Sequence, residues 1–256
     1  MPKRRILAGN WKMNPRTGKD ALSLFSKISR SLPPIRKTDI VICPPFLYLP
    51  ALKKYSRKVT LGAQDAFPGD VGPYTGEVSG GMLYELGARY VILGHSERRA
   101  LGEEDALINK KVKGALAAGL TPILCIGENE RGVDHGYFNI VKAQIEGGLD
   151  GLAKNLIPKV IIAYEPVWAL STTAIRRDAN PTDSREMTIF IRKVLSDITT
   201  PDTAGSVRII YGGSANTKDA REFLEHGGVD GLLAGKASLD PAEFAGMVKI
   251  CEALGS

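Results

Sequence analysis

The stretch Val160-Ile161-Ile162-Ala163-Tyr164-Glu165-Pro166-Val167-Trp168 joins a continuous apolar run to a carboxylate and a segment stiffened by Pro and Trp. A continuous run of this kind predicts a strand buried on both faces, as in a parallel sheet. Glu165 stands at the carboxyl end of that strand, where shielding from water would raise its pKa and suit it to proton transfer. In a barrel of eight parallel strands, these ends carry the active site.

Short apolar runs bounded by turn residues recur eight times in the 256 residues, which gives 256/8 = 32 residues per unit. A strand with its crossover helix needs about 30 residues. The predicted strands cover residues 6–11, 39–43, 60–63, 90–94, 121–126, 160–164, 207–211 and 229–233.

Helical spacing of apolar residues fills the intervals, as in residues 20–28, 104–118 and 184–195, and Asp240-Pro241 opens a last helix. The pattern predicts an α/β protein, a closed (β/α)8 barrel formed as a single domain by residues 1–256. A doubly wound open sheet is the structural alternative.

The composition is that of an ordinary globular protein, with 43% apolar and 24% charged residues and a net charge of +6. No block of like charges occurs, so we expect neither a nucleic-acid partner nor a membrane partner, although a small anionic substrate is weakly favoured. Three widely spaced cysteines indicate a reducing, cytoplasmic location. Cys43 and Cys125 lie in apolar runs and are expected in the core.

Polar residues follow several predicted strands and should converge at one mouth, because parallel strands end on the same side. They are Asn10, Lys12, His95, Glu165, Ser214, Gly235 and Lys236. Each has a plainer interpretation: Lys12 as a solvated lysine, His95 as a structural histidine, Asn10 as a turn cap. Near a helix N-terminus, His95 would stay neutral and donate a hydrogen bond. Ser96 and Glu97 would support the site, or Glu97 would simply pair with Arg99.

The glycine-rich turns 212–214 and 235–236 resemble phosphate sites, because barrels often bind phosphate with the loops after strands seven and eight. Nucleotide-binding glycine motifs and the G-x-S-x-G motif do not occur in the sequence. The three histidines have no metal-ligand spacing.

Six segments, in order along the whole chain, together resemble the triosephosphate isomerase family. They are Ala8-Gly9-Asn10-Trp11-Lys12-Met13-Asn14, Gly62-Ala63-Gln64-Asp65, Tyr74-Thr75-Gly76-Glu77, Gly94-His95-Ser96-Glu97-Arg98-Arg99, Ala163-Tyr164-Glu165-Pro166-Val167-Trp168-Ala169 and Tyr211-Gly212-Gly213-Ser214.

The resemblance implies a TIM barrel that interconverts dihydroxyacetone phosphate and D-glyceraldehyde 3-phosphate, in glycolysis and gluconeogenesis, without a metal or organic cofactor. It makes Glu165 the base and His95 a neutral electrophile, the pair of groups for which this enzyme family is a well-known case of pKa tuning. Lys12 and Asn10 would stabilise an enediolate. The resemblance also implies a homodimer in which the loop 66–77 places Thr75 in the neighbouring subunit.

The chain departs from the family pattern at three places. The lid reads Ser171-Thr172-Thr173-Ala174 where glycines are usual, followed by Arg176 and Arg177, although the Ser171 N–H could still reach a phosphate. Lys236 replaces a second glycine. Asp65 replaces an asparagine and adds a charge without an evident partner.

Two other functions stay open on the sequence alone. One is a barrel that acts on a different sugar phosphate, as an aldolase or an epimerase does. The other is a catalytically silent barrel that binds phosphate or a protein.

Overall fold

Eight parallel strands form a closed barrel in the computed structural model, which describes residues 3–132, 135–170 and 179–255. Each predicted strand is present, with shifts of a few residues at its ends. The strands are β1 Arg5–Asn10, β2 Thr38–Cys43, β3 Thr60–Ala63, β4 Ala88–Leu93, β5 Thr121–Ile126, β6 Ile161–Tyr164, β7 Arg208–Tyr211 and β8 Gly231–Ala234.

Pairing of the first strand with the last closes the sheet. β1 pairs along β2 from Arg5 with Thr38 onward, and along β8 from Ile6 with Gly231 onward, both in parallel. A doubly wound sheet would leave β1 and β8 apart, so this alternative is wrong and the predicted (β/α)8 TIM barrel is confirmed.

Helices follow the strands and cover the outside of the barrel. Within the described residues, the α-helices are α1 Gly18–Ser31, α2 Leu49–Lys53, α3 Gly80–Glu85, α4 Ser96–Ala100, α5 Asp105–Ala117, α6 Tyr137–Leu149, α7 Pro181–Ile198, α8 Pro201–Ser206, α9 Ala220–His226 and α10 Pro241–Leu254. Short 3-10 segments lie at Phe46–Tyr48, Ile157–Lys159, Val167–Ala169 and Lys236–Leu239.

Capping residues mark where several of the helices begin or end. Asp240 accepts hydrogen bonds from the first-turn N–H groups of α10, and Pro241 occupies the first turn, as predicted. Asn180 and Asp183 form a capping box at the start of α7. Gly119, beyond the end of α5, has a φ of +81°, which suits its predicted role after the helix.

The core has two layers, which explains why the strand sequences are continuously apolar. Side chains such as Ile6 and Ala8 point into the barrel, where the predicted core cysteines Cys43 and Cys125 are also buried. The intervening side chains, such as Leu7, pack outward against the helices. Each strand therefore buries both faces.

None of the helices in the described part of the chain is both long enough and apolar enough to cross a membrane.

Closure of the barrel makes Gly231 the most constrained residue of the β1–β8 seam. A Cβ atom there would lie 2.0 Å from the carbonyl oxygen of Ile6, which is backbone and cannot rotate away. We expect Gly231→Ala to open the seam and lower the midpoint of urea unfolding strongly. The matched change Gly205→Ala, in α8 with open space around it, should leave stability equal or raise it by about 0.5–1 kcal/mol. Equal midpoints for the two variants would contradict the importance of this seam.

Candidate active site

A pocket of about 340 Å³ lies at the carboxyl ends of the strands and gathers most of the predicted site residues. Its lining includes Asn10, Lys12, His95, Glu165, Ser214, Gly235 and Lys236. Ser171, Arg176 and Arg177 lie outside the described residues. The expected convergence of strand-end residues at one mouth is therefore confirmed for those that the structure describes.

Glu165 is held rigidly at the end of β6. Its N–H donates to the carbonyl of Ile126 at 2.7 Å, and the residue is 2% exposed. Two glycines press against it: a Cβ at Gly127 would lie 1.9 Å from the Glu165 carbonyl oxygen, and one at Gly212 would lie 2.7 Å from its Cγ. Sequence reasoning assigned Gly212 only to phosphate and missed Gly127, because neither contact is visible along the chain.

His95 caps α4 with its imidazole. Its Nδ1 accepts a hydrogen bond from the Glu97 N–H at 3.1 Å, and its Nε2 lies 3.2 Å from Glu165 Oε1. The Ser96 N–H donates to the other carboxylate oxygen of Glu165 at 3.3 Å. A nitrogen that accepts from an N–H carries no proton, so this network assigns the proton to Nε2, which faces Glu165.

The contact between Glu165 and His95 reverses the pKa directions expected from the sequence. Burial favours a higher Glu165 pKa, but the charge of His95 and the hydrogen bonds from His95 and Ser96 outweigh it and place the pKa of Glu165 below its ordinary value. Burial likewise favours a lower His95 pKa, and the charge of Glu165 and its hydrogen bond raise it. The expected rise in the pKa of Glu165 is wrong, and the contact with Glu165 disfavours the neutral form expected for His95. The sequence did not reveal either effect, because it did not show that the two side chains touch.

Lys12 is held in an unusual backbone conformation with a φ of +52°. Its N–H donates to Asn10 Oδ1 at 2.9 Å, and its carbonyl accepts from Gln64 Nε2 at 2.8 Å. These two hydrogen bonds stabilise a left-handed conformation that a lysine rarely adopts. Sequence reasoning gave Gln64 no role of its own, although its position just after β3 is a signal that could have identified it.

The Lys12 ammonium pairs with Glu97 at 2.6 Å. The alternative that Glu97 pairs with Arg99 is wrong, since Arg99 pairs with Asp105 at 2.7 Å. Ser96 thus contacts Glu165, and Glu97 contacts His95 and Lys12.

Asp65, whose partner the sequence did not reveal, belongs to a buried ionic network. Lys111 of α5 lies 2.8 Å from each carboxylate oxygen of Asp65 and 2.5 Å from Glu103. Arg98 of α4 lies 2.9 Å from Asp65 and also bonds Glu103. With two cations and two carboxylates the network is neutral, and it connects the end of β3 to the helix that His95 caps.

A second buried carboxylate supports the segment that carries Glu165. Glu128 is fully buried, and its Oε1 accepts from the Tyr164 hydroxyl at 2.8 Å and from the Trp168 indole at 2.9 Å. Arg131 lies 3.1 Å from the same oxygen and pairs with Asp183 at the start of α7. Glu128 therefore holds one side chain before Glu165 and one after it in the chain, Tyr164 and Trp168. Sequence reasoning missed this role of Glu128.

The opposite end of the pocket is formed by the two glycine-rich turns. A Cβ at Gly213 would lie 2.1 Å from the Tyr211 hydroxyl, so only glycine fits there. Gly235 lies beside Lys12, whose Cε would be 3.5 Å from a Cβ at that position. Lys12 therefore extends between the Glu165–His95 pair and the glycine-rich turns.

Two carboxylates that sequence reasoning did not identify also line this end of the pocket. Asp240 accepts from two N–H groups of α10, and Glu243 accepts from the N–H and hydroxyl of Thr217. The carboxylate oxygens of both residues thus accept hydrogen bonds from their own neighbourhood.

This arrangement supplies a carboxylate base, an imidazole donor and an ammonium group at one end, and backbone suited to an anion at the other. Among the residues that the structure describes, no three His, Cys, Asp or Glu side chains gather as metal ligands would. Thr75 lies apart from this pocket, exposed on the loop 66–77.

Removing the imidazole should raise the pKa of Glu165. In His95→Leu, burial would be opposed only by the Ser96 N–H and the charge of Lys12, so a ¹³C carboxyl titration should give a higher pKa for Glu165 than in the wild type. The pKa of Glu165 is lower in the folded protein than in the unfolded chain, where it is about 4.3. Ionised Glu165 therefore stabilises the folded wild type at pH values above about 4.3, and this stabilisation is lost as the pH falls through the pKa of the folded protein. His226→Leu, on the exposed surface of α9, is the control and should change nothing. An unchanged titration in His95→Leu would contradict the role given to the contact.

Comparison with known proteins agrees with this geometry. Residues 5–251 match the family model described as triosephosphate isomerase. The chain is 44% identical to the triosephosphate isomerase of Mycobacteroides abscessus, over 98% of this chain and 97% of the relative. It is 42% identical to those of Aquifex aeolicus and Moorella thermoacetica, in each case over 96% of this chain and 98% of the relative. With a match over nearly its full length, the chain belongs to the triosephosphate isomerase family of isomerases.

Proposed function

We propose that the protein interconverts dihydroxyacetone phosphate and D-glyceraldehyde 3-phosphate through an enediolate. The observation that carries this proposal is the 3.2 Å contact between Glu165 and His95 inside the 340 Å³ pocket. A pocket of this size suits a three-carbon phosphate, with its reactive carbons at the acidic end and its phosphate at the glycine-rich turns.

Glu165 acts as the base in this proposal. Its carboxylate removes a proton from the carbon next to the substrate carbonyl, and returns that proton to the neighbouring carbon. The low pKa of Glu165 keeps the carboxylate ionised in the free protein. To reach the substrate, the carboxylate has to leave the Ser96 N–H and the His95 ring, which hold it before substrate binds.

His95 then donates its Nε2 proton to the substrate oxygen that replaces Glu165. Loss of the Glu165 contact removes the interactions that raise the His95 pKa, while the Glu97 N–H continues to favour an unprotonated Nδ1. A neutral imidazole that donates from Nε2 is the form suited to polarise a carbonyl and to move a proton between the two substrate oxygens.

Lys12 and Asn10 stabilise the negative charge that develops on the enediolate. The Lys12 ammonium is balanced by Glu97 in the free protein and lies along the path between the two ends of the pocket. A fixed positive charge at this place lowers the free energy of an anionic transition state without reorganisation.

The glycine-rich turns bind the substrate phosphate in this proposal. The N–H groups of Gly213 and Ser214 donate to no carbonyl among the described residues, so they are available to phosphate oxygens. Gly235 and Lys236 supply the second turn, and the Lys236 side chain adds a cation at the pocket wall. Ser171 stays a predicted phosphate ligand.

The rival functions have less support. A Schiff-base aldolase needs a lysine within a strand, and none of the eight strands contains one. A silent barrel has no need for the strained Lys12 backbone or for the buried Glu165–His95 pair.

Loss of the base should abolish isomerisation. In a coupled assay of glyceraldehyde 3-phosphate turnover, we expect Glu165→Ala to reduce kcat by at least about 10³-fold, because proton transfer and positioning are lost together. Glu130→Ala removes an exposed carboxylate and should retain wild-type kcat. Equal rates in wild type and Glu165→Ala would overturn the mechanism, and no turnover by the wild type would overturn the proposed function.

We infer that the chain forms a homodimer through the rim of the barrel above β1 to β4. Large apolar side chains follow the carboxyl ends of these adjacent strands and are exposed in the single chain: Met13 (94%), Leu47 (83%), Val71 (81%) and Leu101 (81%). Large apolar side chains exposed on neighbouring loops of one rim are typical of an association site. In the loop 66–77, Phe67 packs on Tyr74 with ring centroids 4.4 Å apart, which stiffens the segment that carries Thr75.

A cation at the tip of this loop should weaken the dimer. If Thr75 approaches the partner subunit's Lys12, then Thr75→Arg brings two positive charges together in a desolvated contact. Sedimentation equilibrium should show a dimeric wild type and at least a tenfold weaker association of the variant. Ile189→Arg adds the same charge at a 62% exposed position of α7 and should stay dimeric. A monomeric wild type at micromolar concentration would contradict the inference.

Three further expectations stay predictions: that residues 1–256 form one domain, that the protein is cytoplasmic, and that it acts in glycolysis and gluconeogenesis. The barrel strands, which extend from Arg5 to Ala234, support the first of these.

A further inference from the structure

A second cavity, of about 820 Å³, lies on the outside of the barrel between α1 and the connection from α2 to β3. This connection enters β3 from its amino end, so the cavity is near the face of the barrel opposite the catalytic mouth. It is an open groove, distant from the rim proposed for the dimer. Nothing in the proposed function uses it.

Three hydroxyl groups line one wall of the groove. Ser23, Ser26 and Ser29 are spaced by three residues on α1 and therefore share one face of the helix, beside the face that buries Phe25 and Ile28. The hydroxyl of Ser29 is buried and has no hydrogen-bond partner among the described residues. A buried hydroxyl without a partner is uncommon.

Three cations line the same groove. Arg30 belongs to α1, and Arg57 and Lys58 belong to the α2–β3 connection. None of them forms an ion pair or a side-chain hydrogen bond within residues 3–132, 135–170 and 179–255, and the part of the lining that these ranges supply contains no carboxylate.

Some other arginines at this end of the barrel are paired with acids. Arg4 and Arg208 bond the two oxygens of Asp39, and Arg192 bonds Asp230. The three cations of the groove have no such acid among the described residues. Unpaired like charges that face one cavity repel each other, and an anion placed between them removes this repulsion.

We propose that this groove binds a small anion that carries two or more phosphate groups. Arg57 and Lys58 on one wall, with Arg30 and the hydroxyls of Ser23 and Ser26 on the other, can donate to several phosphate oxygens at once. Cations from two separate segments, α1 and the α2–β3 connection, favour an anion that carries more than one phosphate group. Tyr55, 54% exposed at the edge of the groove, offers a ring surface to an organic group attached to the phosphates.

Calorimetry with tripolyphosphate at low ionic strength tests the site on the full chain. The double variant Arg30→Gln/Arg57→Gln removes two cations from the groove, and Lys110→Gln/Arg185→Gln removes the same charge from exposed positions of α5 and α7. We expect the first variant to bind tripolyphosphate at least tenfold more weakly than the wild type and the second to bind within a factor of two.

Amide chemical shifts in the same titration locate the anion. Shifts in residues 22–30 and 55–58 support the groove. Shifts confined to residues 212–214 and 235–236, with binding lost in Lys12→Met and kept in Arg30→Gln/Arg57→Gln, assign the anion to the catalytic pocket and overturn the proposal. Equal weakening in the two charge-matched variants indicates non-specific attraction and overturns it too, as does the lack of any binding by the wild type at millimolar tripolyphosphate.

Discussion

Pairing of β1 with β8 is the constraint on which the rest of the molecule depends. The two strands approach closely because Gly231 presents no side chain to the Ile6 carbonyl. Once this seam is closed, all eight strands end at one mouth, and residues as distant in sequence as Asn10, Glu165 and Lys236 line the same pocket. Without closure, the loops after β1 and β8 would lie at opposite edges of an open sheet.

The charged side chains at the mouth already have partners before any substrate binds. Lys12 is neutralised by Glu97, and Glu165 is held between His95 and the Ser96 N–H. Pairing of this kind limits the cost of burying the charged groups. It also means that a substrate has to exchange contacts with groups already in place, so the pKa values of the free protein describe the resting arrangement.

Buried carboxylates behind the site keep these residues in place. Glu128 bonds the side chains on either side of Glu165, and Asp65 joins the end of β3 to the helix that begins at Ser96. Neither carboxylate lines the catalytic pocket. Their charges are satisfied by Arg131 in one case and by Lys111 and Arg98 in the other, which is the condition under which buried acids are tolerated. The proposed anion groove differs in this respect, because no carboxylate among the described residues pairs with its cations.

The sequence by itself determined the eight strands, the barrel and the residues of the mouth. Apolar runs, helical spacing and turn residues are local signals, and in a parallel barrel every strand end points to the same place, so position along the chain predicts Asn10, Lys12, His95 and Glu165. Only the tertiary structure decided which side chains touch. The contact of Glu165 with His95, which reverses the expected pKa directions, joins residues far apart in the chain. The same is true of the ion pair of Asp65 with Lys111 and of the fit of Gly127 against Glu165, because each depends on distances of a few ångströms that no local pattern encodes.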